Sequence, residues 1–123
     1  MGKLMRIYTP RGPWRYFKGA VESGVKSYFV GEPVQEAVRV IAIFFFPAPV
    51  YKQREARKAE QDFSRVELMH KKPDVDNVVK ILLDACTQAG LWRDDGQVQD
   101  MRIQKFWALR DAKPGVHLTI EEI

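Results

Sequence analysis

Only one cysteine, Cys86, and two histidines, His70 and His117, occur in the 123 residues. An internal disulfide is excluded, and neither histidine stands at zinc-ligand spacing. Long apolar runs are also missing. None approaches the roughly 20 residues needed to span a bilayer, and no charged-then-apolar leader opens the chain. Together with the lone thiol, these absences favour the cytoplasm. No internal repeat or low-complexity tract is present. With 46% apolar and 29% charged residues, the composition is that of a folded globular chain, not a disordered one. The length suits a single domain, 1–123, with a modest core.

The net charge of +4 is unevenly spread. Residues 1–31 carry six Lys/Arg against Glu22 alone, a net of +5. Residues 47–72 carry seven against four acids, a net of +3, whereas residues 73–123 carry six against nine, a net of −3. An acidic half beside a basic remainder suits a protein that holds cations in one place and a phosphate backbone around it.

Within the acidic half, Lys71 to Val98 reads KKPDVDNVVKILLDACTQAGLWRDDGQV. Pro73 disfavours helix at the residue before it, and Asp76 suits an N-cap. Val78, Ile81, Leu82, Ala85 and Ala89 then recur at helical spacing, and Gly90 stops the pattern. A helix over 76–89 is expected. Asp76, Lys80 and Asp84 follow at i, i+4 and i+8 on its polar face, so the lysine is held between acids. Two carboxylates one residue apart, Asp74 and Asp76, with Asp94 and Asp95 in the following turn, suit a hard divalent cation. Mg²⁺ prefers oxygen ligands, takes one or two carboxylates and leaves its other positions to water and phosphate. Each residue alone also has a structural reading: Asp76 as a cap, Asp94-Asp95-Gly96 as a turn, Lys80 as the partner of Asp84.

The motif KPDVDN, then Lys80, then LLDA at Leu82 to Ala85, then WRDDGQV at Trp92 to Val98 resembles the RusA-type Holliday junction resolvases of bacteria and their prophages. The resemblance covers about the last half of the chain. It implies a small α+β domain forming a homodimer, and an endodeoxyribonuclease that nicks opposed strands of four-way junction DNA. Mg²⁺ is the implied cofactor, with Mn²⁺ as a substitute. Position by position, the implied catalytic and metal-binding carboxylates are Asp74, Asp76 and Asp95, and the implied catalytic lysine is Lys80. Asp84 and Asp94 match further acidic positions.

The rest of the chain supplies the expected frame. Leu4–Tyr8 and Val25–Val30 have strand character. Between them, Trp14, Tyr16 and Phe17 interleave with Arg15 and Lys18, either as a base-stacking surface or as a strand with one buried face. No convincing helix precedes Ala37, although many members of the family place one there. Ala37–Phe46 alternates with apolar residues on both faces and is expected to be a central strand stopped by Pro47 and Pro49. Tyr51–Lys72 is polar, with a short exposed helix over Lys52–Gln61. Its Lys52, Arg54, Arg57, Lys58, Lys71 and Lys72 are candidate DNA contacts on a flap that clasps the substrate. Val98–Trp107 and Val116–Glu121 are expected to pair antiparallel across the DAKPG turn, with His117 facing solvent. The whole is an α+β domain, a mixed sheet covered by the 76–89 helix.

A 14-residue helix is about 20 Å long, which separates Asp76 from Asp95 unless the chain folds back. Two subunits pairing antiparallel would instead bring Asp74 and Asp76 of one to Asp95 of the other. A monomer with Asp76 and Asp95 within about 6 Å would exclude the shared site. Two alternatives stand beside the resolvase: a Mg²⁺-dependent nuclease for other branched DNA, and a noncatalytic junction-binding module.

Overall fold

A computed structural model describes residues 3–8, 16–58, 68–109 and 112–123. The elements in chain order are β1 (Lys3–Tyr8), α1 (Phe17–Tyr28), β2 (Val38–Pro47), α2 (Val50–Lys58), α3 (Val75–Gln88), a short 3-10 turn (Asp95–Gln97), β3 (Val98–Ala108) and β4 (Gly115–Glu122). The four strands form one sheet in the order β1-β4-β2-β3. β4 runs antiparallel to both β1 and β2, and β2 runs parallel to β3, so the sheet is mixed.

The alternation in β2 decides the packing. Val38, Val40, Ala42, Phe44 and Phe46 are buried because they face a helical layer, while the intervening residues face the other side and are half-buried. That layer consists of two helices. Phe17, Val21 and Val25 of α1 join Val78, Leu82 and Ala85 of α3 in the same cluster as the inner residues of β2 and β4. The Phe17 ring lies 5.5 Å from that of Phe44, which lies 6.1 Å from Phe46.

Three expectations need correction. The segment Val25–Val30 is no strand: Val25 closes the buried i, i+4, i+8 stripe of α1, which ends at Tyr28. A helix therefore does precede β2, and α1 shares the cover of the sheet with α3. β3 and β4 do not pair with each other, because β2, apolar on both faces, lies between them. The main helix starts one residue earlier than expected, at Val75, with Asp74 in the cap position. Gly90, at φ 80°, follows its end.

Candidate active site

α3 begins where the chain leaves a turn at residues 71–73. That turn is pinned from the sheet: Lys105 Nζ donates to the carbonyl oxygens of Lys71 (2.9 Å) and Pro73 (2.6 Å). Lys105 projects from the helix-covered face of β3, in register with Phe44. A lysine at an inward position of an alternating strand is the signal that would have singled it out. The Lys72–Pro73 peptide is cis.

Asp74 occupies the N-cap position with extended backbone, yet its side chain makes no capping hydrogen bond. Asp76 lies in the first turn instead of capping it. Both are exposed, as is Lys80 one turn on. Among the described residues Lys80 forms no ion pair with Asp76 or Asp84, the ion pairs being Lys26–Glu22, Arg39–Asp100 and Arg39–Glu121. The start of α3 thus presents two carboxylates and an ammonium group that local structure does not consume. The N-terminal dipole favours the carboxylates there.

The other acids lie at the far end of α3. Asp94 is the cap of the 3-10 turn: its Oδ1 accepts from the Gly96 N–H at 3.1 Å. Gln97 completes a capping box, its Oε1 accepting from the N–H groups of Arg93 (2.9 Å) and Asp94 (3.1 Å). Its Nε2 donates to the carbonyls of Val34 and Glu36. Asp95, next in sequence, is exposed and held through its side chain: the Thr87 hydroxyl donates to Asp95 Oδ1 at 2.5 Å, and the buried Trp92 Nε1–H donates to Thr87 Oγ1 at 2.9 Å. Sequence reasoning missed Thr87, Trp92 and Gln97 as supports. The motif WRDDGQV contains two of them, but its spacing does not say which aspartate is the cap.

Thr87 lies 11 residues after Asp76, about 16 Å along the helix axis at 1.5 Å per residue, so Asp76 and Asp95 sit at opposite ends of α3. Within one chain, no group of three His, Cys, Asp or Glu side chains among the described residues is placed to hold a metal ion. Chemically the three carboxylates fit a hard cation; spatially one chain does not bring them together. Asp84 is half-buried on α3.

Of the candidate DNA contacts, Arg54 and Arg57 are exposed on α2, and Lys71 and Lys72 are exposed beside Asp74. Lys52 is half-buried, its Nζ 5.9 Å from the Trp107 ring centroid. Lys18 is half-buried on α1, where Phe17 is a core residue and Tyr16 is exposed. Arg15, Trp14 and the side chain of Lys58 lie outside the described residues, as does the centre of the expected flap, 59–67. α2 is less isolated than its composition suggests, since Ala56 is buried and Gln53 Nε2 donates to the Ala108 carbonyl at 2.8 Å. No helix is long and apolar enough to cross a membrane among the described residues.

Comparison with known proteins identifies the family. The crossover junction endodeoxyribonuclease RusA of Escherichia coli strain K12 is 42% identical over 50 residues, covering 41% of this chain and 40% of the relative. The protein of the same name from Enterobacteria phage 82 shows the same identity and coverage. The Bacillus subtilis strain 168 protein YqaN is 35% identical over 71 residues, covering 58% of this chain and 45% of the relative. The chain thus spans under half the length of these relatives. A family model described as endodeoxyribonuclease RusA matches residues 2–121, and the chain therefore belongs to the RusA endodeoxyribonuclease family.

Proposed function

We propose that this protein is a Mg²⁺-dependent, structure-selective endodeoxyribonuclease that acts as a homodimer on four-way DNA junctions. The observation that carries this reading is the start of α3, where a chain of this family presents Asp74 and Asp76 exposed and spent on no cap.

In this reading Asp74, Asp76 and Asp95 hold the cation, and Mn²⁺ can replace Mg²⁺. When bound, the ion supplies charge neutralisation at the scissile phosphate and activation of the attacking water. Lys80 directs its ammonium group at the phosphate and stabilises the charge that develops in the transition state. Asp94 and Gln97 shape the turn that offers Asp95, and Thr87 orients the Asp95 carboxylate. Lys105 fixes the turn that offers Asp74. Lys71 and Lys72, with Arg54 and Arg57, give phosphate contacts around the site.

A site split along one helix calls for a second copy. At 100° per residue, Asp76, Leu83 and Thr87 lie within about 40° of one another around α3, and the half-buried Leu83 sits between the other two. A twofold axis near Leu83 would lay Asp76 of one subunit against Asp95 of its partner, and would do so twice. Two such sites match the two opposed strands of a junction.

The test is to incubate the protein and Mg²⁺ with an immobile four-way junction and to map nicks on every strand. Paired, symmetric nicks on opposed strands are expected, with linear duplex left intact. Binding without nicking at any Mg²⁺ or Mn²⁺ concentration would favour a noncatalytic module. Equal cutting of flaps would favour a broader branched-DNA nuclease.

A further inference from the structure

The sheet face turned away from α1 and α3 carries no helix among the described residues. Its middle is apolar, with Ile41, Ile43 and Phe45 half-buried. At one end this face becomes aromatic and basic. The Phe106, Phe45 and His117 rings form a row, at 6.0 Å between the first two and 5.0 Å between the last two. Tyr8, 56% exposed, stands beyond them with Lys113 Nζ 5.3 Å from its ring centroid. A groove of about 310 Å³ opens among Tyr8, Phe45, Ala112, Lys113 and His117, at the small end of the range for ligand sites.

Register explains the groove. Tyr8 of β1 and Phe45 of β2 both pair with Gly115 of the intervening β4. Strands are about 4.8 Å apart, so the two rings rise from positions roughly 10 Å apart, across a residue that has no side chain. A flat aromatic group held between two rings needs about 3.5 Å on each side. At that spacing one such plate fits between the rings. Charge selects further. Lys113 lines the slot and Arg6 pairs with His117 beside it, whereas the acids of this face, Asp100 and Glu121, lie at the opposite end and are engaged by Arg39. A planar apolar body carrying a negative charge is what such a groove complements. A second copy of the chain would bring like charges together there.

We infer that this groove binds an unpaired nucleotide of branched or single-stranded DNA, with its base between Tyr8 and Phe45 and its phosphate on Lys113. The inference rests on the reading that the chain acts on DNA. It places a second contact on the side of the sheet opposite α3, apart from the carboxylates that cut.

The test uses the full chain and a fluorescein-labelled oligothymidine of about ten nucleotides, a length within the usual single-strand site sizes, followed by anisotropy. Tyr8→Ala and Phe45→Leu should each weaken binding about tenfold or more, as loss of base stacking does. Lys113→Ala should reduce the salt dependence by about one phosphate contact. An oligonucleotide carrying 5-iododeoxyuridine should photocrosslink to a peptide containing Tyr8 or Phe45. Phe45→Leu retains apolar bulk, and urea unfolding of each variant checks its fold. Unchanged affinity in folded Tyr8→Ala and Phe45→Leu variants would overturn the inference. So would a dimer that these substitutions dissociate without affecting oligothymidine binding. Junction nicking by wild type separates the two proposals: nicking with an inert groove removes only this one, and Tyr8-dependent binding without nicking supports this one while removing the nuclease.

Discussion

Asp94 and Asp95 are chemically identical neighbours with different work. Asp94 accepts the Gly96 N–H and is consumed by the turn, whereas Asp95 faces outward on the Thr87 hydroxyl. Asparagine caps nearly as well as aspartate, so Asp94→Asn should keep both fold and nicking, while Asp94→Ala should cost about 1 kcal/mol in urea denaturation. Asp95→Asn, like Asp74→Asn and Asp76→Asn, should remove more than about 100-fold of nicking activity, exceeding the 10–100-fold typical of outer-shell changes. Junction affinity, measured by mobility shift, should hold or improve, because each change reduces repulsion of phosphate. Cys86 is governed by burial. Desolvation, aided by the negative charge of Asp95, pushes its thiol from 9.0 up to about 12. The native thiol should therefore resist alkylation at pH 8 and react fully in denaturant. The unfolded thiol ionises near its ordinary value while the folded one does not. Stability should accordingly fall as pH rises from about 9 towards 12, with Cys86→Ala flattening that slope in pH-dependent urea titrations.

At the scale of elements, two supports can be tested without touching a proposed ligand. Thr87→Val deletes the hydroxyl that links the Trp92 indole to Asp95; nicking should fall about 10–100-fold, and the buried Trp92 N–H left without its acceptor should cost about 1–3 kcal/mol in urea denaturation. Gly115→Ala acts on the fold instead. A Cβ there would overlap the Ile7 carbonyl oxygen, which should destabilise by about 1–3 kcal/mol, as overpacking does, read from urea denaturation. What was legible in the chain follows from local periodicity. β2 was clear from its alternation, and α3 from its apolar stripe between Pro73 and Gly90. α1 was not, since Gly19 and Gly24 lower helix propensity, Val21 and Val25 are β-branched, and a stripe of Phe17, Val21 and Val25 is short. The pairing of β3 was equally hidden: a hairpin-like turn at 111–115 says that two strands are near in sequence, but not that β2 separates them. Candidate ligands were readable because the motif is contiguous. Of their supports, Lys105 is marked only as a lysine at an inward strand position, with its partner unstated, and Thr87 depends on which elements meet, which spacing alone does not reveal.

For the whole molecule, the central issue is incompleteness. One chain places Asp74 and Asp76 at one end of α3 and Asp95 at the other, so a cation held by all three needs two chains. In the proposed site, carboxylates that would otherwise repel DNA are joined by a cation, and Lys71, Lys72, Arg54 and Arg57 are the proposed basic surface around it. Sedimentation should give a dimer, and Leu83→Glu, which places a like charge at the proposed twofold, should shift it towards monomer and reduce nicking. The most direct measurement mixes two inactive proteins. Asp76→Asn and Asp95→Asn are each assayed alone on a four-way junction with Mg²⁺, then allowed to exchange subunits and assayed together. In a heterodimer one site carries both substitutions and the other carries neither, so a shared site predicts that nicking returns to about a quarter of the wild-type site count if exchange is random. A mixture as inactive as its components, with heterodimers demonstrably formed, would contradict it.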